Sequence, residues 1–133
     1  MEILPFIIKN DTGAPQGVWA IMSDMAEIFQ PWDPKAGGKY LAGFEVMPDA
    51  VAPPGWTKWR VPGFRYLVVP TDMDNYAAAL DNTLNGYFPE HGHTLAGAIH
   101  ERYPDPDNPL RIDLYLPVEK LASVPPGGEF AAA

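Results

Sequence analysis

The sequence contains no cysteine and few basic residues, and both shortages exclude whole classes of protein. Without cysteine there is no disulfide framework, no catalytic thiolate and no cysteine-bound zinc. Nine Lys and Arg residues stand against 17 Asp and Glu residues, which gives a net charge of −8 at pH 7. A surface that binds a phosphate backbone has to be basic, and anionic membranes attract basic segments. The composition therefore argues against a nucleic-acid partner and against a membrane partner.

Long hydrophobic runs, serines and cofactor motifs are also scarce. No apolar run approaches the roughly 20 residues of a membrane-spanning helix, and no secretory signal is visible, so we expect a cytoplasmic protein. The only serines, Ser23 and Ser123, do not lie in a nucleophile motif. His91, His93 and His100 are the only metal-like cluster, and the loop position of the first two argues against zinc. We therefore predict no metal and no cofactor.

The residues that are present predict one globular domain. The chain has 133 residues, of which 47% are hydrophobic and 12% aromatic, and 16 prolines and 12 glycines divide it into short elements. We expect a single domain over residues 1–128. Residues 129–133 are predicted to be an unstructured tail or a cloning remnant. The oligomeric state, monomer or dimer, is left open.

Apolar spacing predicts the elements of the first half. The residues Val18, Ile21, Met22, Met25 and Phe29 follow helical spacing. Strands are predicted on either side of this helix, and the last two are expected to form a hairpin at Pro62-Gly63. The predicted strands are Met1–Lys9, Lys39–Met47, Trp56–Val61 and Phe64–Val69.

The second half repeats the same order of elements. A helix is predicted after a cap at Thr71 and Asp72, with a stop at Asn85-Gly86. Its apolar stripe consists of Met73, Tyr76, Ala77, Leu80, Leu84 and Tyr87. Strands His93–Tyr103 and Leu110–Val118 follow. The tripeptide at Leu41–Gly43 recurs at Leu95–Gly97 and favours an internal duplication. The predicted fold is α+β, a tandem strand–helix–strand–strand repeat with pseudo-twofold symmetry, in which one antiparallel sheet carries two helices.

Glu101 is the main candidate for a functional side chain. Strand alternation places it on one face with Ile99 and Tyr103, whereas His100 and Arg102 point to the other face. From spacing alone, an exposed strand position is favoured over a buried anion, which would need a partner. A carboxylate among aromatic rings suits a hydrophobic cation. Glu45 occupies the analogous place in the first half, where a surface position is again favoured.

Several segments together resemble the gyrase-inhibitor-like (GyrI-like) small-molecule-binding domain. This domain also forms the effector-binding part of some AraC-type and MerR-type multidrug regulators, and integron cassettes encode stand-alone copies. The resemblance covers roughly Val18 to Val118. It rests on residues 40–46 (YLAGFEV), 59–70 (WRVPGFRYLVVP), 86–90 (GYFPE), 100–103 (HERY) and 114–118 (LYLPV).

The resemblance implies a tandem-repeat fold with a ligand cleft between aromatic side chains. A strand glutamate supplies the counter-charge for cationic ligands, and the matching position here is Glu101. The sequence shows no helix-turn-helix segment, so we expect no direct contact with DNA. The ligand-binding residues that the resemblance implies are Glu101, Tyr66, Tyr103, Trp59, Tyr115 and Phe44.

Three functions remain open at this point. The favoured one is a stand-alone binding protein for hydrophobic, cationic small molecules, rather than an enzyme. The resemblance also allows a small hydrolase of electrophilic compounds that uses Glu101 with Tyr66 or Tyr103. A protein-interaction module that inhibits a partner is the third alternative.

Overall fold

The computed structural model describes residues 6–9, 11–121 and 128–132, which form one antiparallel sheet and one helical segment. The helical segment consists of α1 (Tyr76–Asn82), a π-helical stretch (Thr83–Tyr87) and α2 (Phe88–His91). The strands are β1 (Val18–Ser23), β2 (Lys39–Glu45), β3 (Thr57–Val61), β4 (Phe64–Asp72), β5 (His100–Tyr103), β6 (Arg111–Lys120) and β7 (Gly128–Ala132). The predicted α+β class is confirmed.

The sheet curls because its two edge strands are consecutive in the chain. Its strand order is β3-β7-β2-β1-β5-β6-β4. Only Pro62 and Gly63 join β3 to β4, and two residues span about 7 Å at most. The predicted hairpin at this dipeptide is wrong, because β3 pairs with β7 and β4 pairs with β6. The Pro-Gly connection instead links the two edges of a seven-stranded sheet.

Strand alternation gives the curled sheet an inner and an outer face. The helical segment packs on the outer face against Ile112, Leu114 and Leu116, all of which are fully buried. On the inner face, the ring of Trp19 in β1 lies 4.8 Å from the ring of Tyr115 in β6. β5 separates β1 from β6 in the sheet. The two rings nevertheless meet, because both side chains are large and the inner face is concave. The inner core contains Ile21, Phe29, Leu41, Trp59, Val61, Phe64, Ala98 and Phe130.

The helix predicted over Val18–Phe29 is wrong. Its first six residues form β1, which lies between β2 and β5 at the centre of the sheet. A central strand is covered on both faces, so Ala20 and Ile21 are both buried although they point in opposite directions. Such a continuous apolar run fits helical spacing equally well. Residues 24–38 form a loop.

The helical segment begins and ends beyond the predicted signals. Asp72 accepts hydrogen bonds from the backbone and side chain of Asn75, and α1 begins at Tyr76. The chain passes through Asn85-Gly86 in the π-helical stretch and stops at Gly92, whose φ of +68° suits glycine. No helix in the described parts of the chain is long and apolar enough to cross a membrane.

The internal repeat is not confirmed. The described residues contain one helical segment, and the two similar tripeptides adopt different structures. Leu41–Gly43 lies within β2, whereas Leu95–Gly97 lies in the loop before β5. The predicted N-terminal strand falls partly outside the described residues. Of its described part, Ile7 forms an isolated bridge with Val46 and Lys9 forms one with Pro15.

The C-terminal residues form a strand inside the sheet. The unstructured tail predicted for residues 129–133 is wrong as far as Ala132, because β7 pairs with β2 on one side and β3 on the other. Phe130 is 6% exposed and belongs to the inner core. Glu129 is also buried, and its Oε1 lies 2.6 Å from Nε of Arg60. One aromatic ring and the ion pairs of Glu129 with Arg60 and Lys58 therefore fix β7.

Gly43 allows β2 to approach β7, and we expect its replacement by alanine to destabilise the protein. A Cβ atom there would overlap the carbonyl oxygen of Ala131 and lie 2.8 Å from its carbonyl carbon. Overpacking of this kind costs about 1–3 kcal/mol. Gly86 is a matched control because a Cβ meets nothing within 4 Å there, so Gly86→Ala should stabilise the helical segment by up to about 1 kcal/mol. Urea unfolding measures both, and equal effects of the two substitutions would contradict this account.

Candidate functional site

Glu101 lies at the centre of the outer face. It is in β5, with Ala20 of β1 on one side and Leu114 of β6 on the other. The methyl group of Ala20 leaves room above the sheet for the longer carboxylate. The residue is only 8% exposed. The alternative of a solvent-exposed strand glutamate is therefore wrong, and the carboxylate needs polar partners inside the protein.

Three tyrosines from three different elements surround this carboxylate. The hydroxyl of Tyr103 in β5 donates a hydrogen bond of 3.3 Å to Oε1 of Glu101. Tyr76, the first residue of α1, lies close enough to Glu101 for the carboxylate, in addition to burial, to raise the pKa of its hydroxyl. Tyr40 of β2 lies close enough to Glu101 for the negative charge, again in addition to burial, to raise the pKa of its hydroxyl. Within residues 11–121, no lysine or arginine forms an ion pair with Glu101, so phenol groups hold it.

The tyrosines remain protonated because of this arrangement. Burial, followed by the negative charge of Glu101, raises the pKa of Tyr103 to about 12. Burial and then Glu101 also raise the pKa values of Tyr40 and Tyr76. A phenol that keeps its proton at neutral pH donates hydrogen bonds and adds no negative charge. The cluster is therefore a single carboxylate within a neutral aromatic setting.

A cavity of about 550 Å³, here called the outer cavity, lies beside this cluster between the sheet and the helical segment. Tyr40 and Tyr76 belong to its wall, whereas Glu101 lies behind them and is not a lining residue. The remaining wall is mainly aliphatic. Its lining includes Met22, Leu80, Leu84, Leu95, Ala98 and Ile99.

The loop over residues 24–38 completes the wall of the outer cavity. It contributes Gln30 and Trp32, and Trp32 is 72% exposed. Oδ1 of Asp24 accepts hydrogen bonds from the backbone N–H groups of Ile28 and Gln30, each 3.2 Å long. Phe29 is buried in the inner core, and its carbonyl oxygen accepts a hydrogen bond from the N–H of Ala98. These contacts hold the loop against β5, so the aromatic ring of Trp32 stands at the rim.

The structure separates the predicted ligand-binding residues into three groups. Glu101 and Tyr103 lie together on the outer face. Tyr66, Tyr115 and Trp59 lie on the inner face, because Tyr115 is paired with His100 and every second residue of a strand points the same way. Phe44 packs in a small cluster with Ile7 and Val46 at the end of the sheet. The pair of Glu101 with Tyr66 therefore does not form, whereas the pair with Tyr103 does.

The histidines do not converge. The ring of His91 stacks on Tyr87 at 3.9 Å, and His93 lies 6.4 Å from His91. His100 is buried on the inner face of the sheet. Within residues 6–9, 11–121 and 128–132, no three His, Asp or Glu side chains are grouped so that they could hold a metal ion.

Two residues beside Glu101, Tyr40 and Tyr76, are not among the predicted site residues. Tyr40 lies in the predicted strand Lys39–Met47 and Tyr76 in the predicted helix after Asp72, where both fit ordinary core positions. Tyr40 reaches the site because β2 and β5 flank β1 with Met22 opposite Tyr40 and Ala20 opposite Glu101. No local pattern reports this register. The one usable signal is a tyrosine within an apolar helix stripe, where its hydroxyl needs a partner.

Comparison with models of protein families identifies a family for this chain. The model of a protein family described as the GyrI-like small molecule binding domain matches residues 5–119. This range contains Glu101, all three tyrosines and the lining of the outer cavity, whereas β7 lies beyond it. No curated protein matches the chain.

Proposed function

Because the chain belongs to the GyrI-like small molecule binding domain family, we propose that it binds hydrophobic cations in the outer cavity, with Glu101 as the counter-charge. The observation that carries this proposal is the buried carboxylate held by phenol groups. Its negative charge is not neutralised by a basic side chain within residues 11–121. A cation in the adjacent cavity would supply that neutralisation.

The aromatic wall supports a cation over a neutral compound. Tyr40, Tyr76 and Trp32 line the cavity, and the face of an aromatic ring attracts a positive charge by about 0.5–2 kcal/mol. The aliphatic part of the wall favours apolar groups on the same ligand. A volume near 550 Å³ lies within the usual range of about 300–1,000 Å³ for small-molecule sites.

The test compares two ligands of equal shape that differ in charge. Benzyltrimethylammonium and neopentylbenzene differ only by a nitrogen cation in place of a quaternary carbon. We expect the cation to raise the melting temperature of the wild type, with about 2.7 kcal/mol of stabilisation at 100 times its dissociation constant. Glu101→Gln keeps an acceptor for Tyr103 but removes the charge, so the cation should lose this effect.

Glu90→Gln is the matched control, because it makes the same change of charge on an exposed residue of α2. It should leave the stabilisation by the cation unchanged. Equal stabilisation by both ligands in the wild type would show that charge is not recognised. An undiminished response to the cation in Glu101→Gln would show that Glu101 is not the counter-charge. Either result would overturn the proposal.

The contact between Glu101 and Tyr103 also favours a second candidate function, the hydrolysis of small electrophilic compounds. A carboxylate that activates water and a phenol that protonates the leaving group form an acid–base pair. The raised pKa of Tyr103 keeps its proton on the phenol at neutral pH. Tyr66 does not take part, because it lies on the inner face. Mass analysis of the compound recovered after incubation separates the two functions, since a binding protein returns it unchanged.

A further inference from the structure

A second cavity lies on the opposite side of the sheet from Glu101. This inner cavity has a volume of about 350 Å³. An apolar cavity of about 150 Å³ is large enough for benzene in another protein, so the inner cavity has room for a substituted aromatic ring. Its polar lining groups include His100 and Glu45. Most of the other lining residues are aromatic, namely Trp19, Phe64, Tyr66, Tyr115 and Phe130.

His100 lines the inner cavity and carries an unused hydrogen-bond donor. The residue is 2% exposed. Its Nδ1 accepts a hydrogen bond of 3.2 Å from the backbone N–H of Met22. A neutral imidazole with an accepting Nδ1 carries its proton on Nε2. Among the described residues, this buried Nε2 has no hydrogen-bond partner, and a buried donor without an acceptor is unfavourable.

The charges around the cavity select an uncharged ligand. Burial lowers the pKa of His100 to about 4, so the imidazole is neutral at pH 7. Glu45 would repel an anion, and burial raises the pKa of its carboxyl group. Arg102 lies near enough to act on Glu45 in the opposite direction, which reduces the attraction for a cation. The inner cavity therefore combines an aromatic lining with one neutral hydrogen-bond donor, the imidazole of His100.

We infer that the inner cavity is a binding site for an uncharged aromatic compound with a carbonyl group, which accepts a hydrogen bond from Nε2 of His100. The rings of Trp19, Tyr66 and Tyr115 enclose the aromatic part of the ligand, in offset or edge-on contacts. This site is distinct from the outer cavity, because His100 and Glu101 point to opposite faces of β5. It does not depend on the cation proposed for the outer site.

Benzamide is the first probe, with benzoate and ethylbenzene as comparisons. The imidazole nitrogen signals of His100 are followed by long-range proton–nitrogen NMR during titration of the wild type. We expect benzamide to shift the Nε2 signal of His100 and the indole signal of Trp19. Benzoate should bind at least tenfold more weakly because of Glu45, and ethylbenzene should leave Nε2 unshifted. If saturating benzamide leaves the signals of His100 and Trp19 unmoved, the inference is overturned.

A pair of substitutions tests the hydrogen bond itself. Asparagine places an acceptor near the position of Nδ1 but has no group at Nε2, so His100→Asn should weaken benzamide binding about tenfold. His100→Gln keeps a donor near Nε2 and should retain binding. His91→Asn makes the same change on an exposed histidine and should have no effect. Equal affinity of His100→Asn and the wild type, or shifts confined to Tyr40 and Trp32, would place benzamide elsewhere. If His100→Asn does not fold, the wild-type titration still decides.

Discussion

Deletion of residues 128–133 is expected to abolish cooperative unfolding of this protein. β7 lies between β2 and β3, so its loss leaves β3 without a neighbouring strand and exposes a row of backbone groups on β2. The deletion also removes Phe130, whose ring lies 5.2 Å from that of Trp19. Loss of a buried phenylalanine alone costs about 3–5 kcal/mol, which is comparable with the whole stability of a small domain.

Circular dichroism and urea titration of the shortened chain measure this effect. Phe130→Ala keeps the backbone of β7 and should retain a cooperative transition with a lower midpoint. Leu121→Ala shortens an apolar residue that is 41% exposed, and it should change the free energy of unfolding by less than about 1 kcal/mol. A shortened chain with the stability of the wild type would show that β7 is dispensable.

Acid is expected to destabilise the protein through His100. Its pKa is lowered by burial to about 4, whereas an unfolded histidine titrates near 6.5. Between these two values the unfolded chain binds a proton that the folded chain does not, so stability falls as the pH falls. His100 makes its full contribution to the free energy of unfolding above pH 6.5, and this contribution is lost by about pH 4. The free energy of unfolding decreases by about 3 kcal/mol over this range.

The contribution of His100 is measured as a difference between proteins. Burial raises the pKa of Glu45, and a carboxyl group of this kind favours the folded state as the pH falls. Glu45 therefore opposes His100 in part of the same range. The free energy of unfolding of the wild type, minus that of His100→Asn, should fall by about 3 kcal/mol between pH 7 and pH 4. Parallel pH profiles would contradict this, and His91→Asn should match the wild type throughout.

Much of the fold was predictable from local patterns. Alternating apolar residues located β2 and the greater part of β6, and the predicted strand Trp56–Val61 located β3. The stripe of Tyr76, Leu80 and Leu84 identified the helical segment that packs on the outer face. These elements bury one side, so their sequence period reports their structure. β1 is covered on both sides, so its residues form a continuous apolar run. Such a run fits helical spacing as well, which is why the helix prediction is wrong there.

Pairing between distant segments was not predictable. Pro62-Gly63 has the composition of a hairpin turn, yet it connects opposite edges of the sheet. Residues 128–132 carry two alanines, a glycine and one aromatic residue, and nothing local identifies them as a strand. Their place next to Gly43 results from the close approach of two backbones, which only the assembled sheet produces. Hydrogen bonds between strands that are far apart in the sequence determine both the path at Pro62-Gly63 and the position of β7.

The candidate site also has features that follow from local sequence and features that depend on contacts between distant segments. The sequence by itself determined that Glu101 and Tyr103 share a strand face opposite His100, because successive side chains alternate across a strand. Its composition made the protein acidic, rich in aromatic residues and free of thiol chemistry. The tertiary structure brought Tyr40 and Tyr76 to Glu101, sent Tyr66 and Tyr115 to the inner face, and left Nε2 of His100, a lining residue of the inner cavity, without a hydrogen-bond partner in the described parts of the chain. These relations depend on strand order, register and the curl of the sheet, which arise from contacts between residues far apart in the chain.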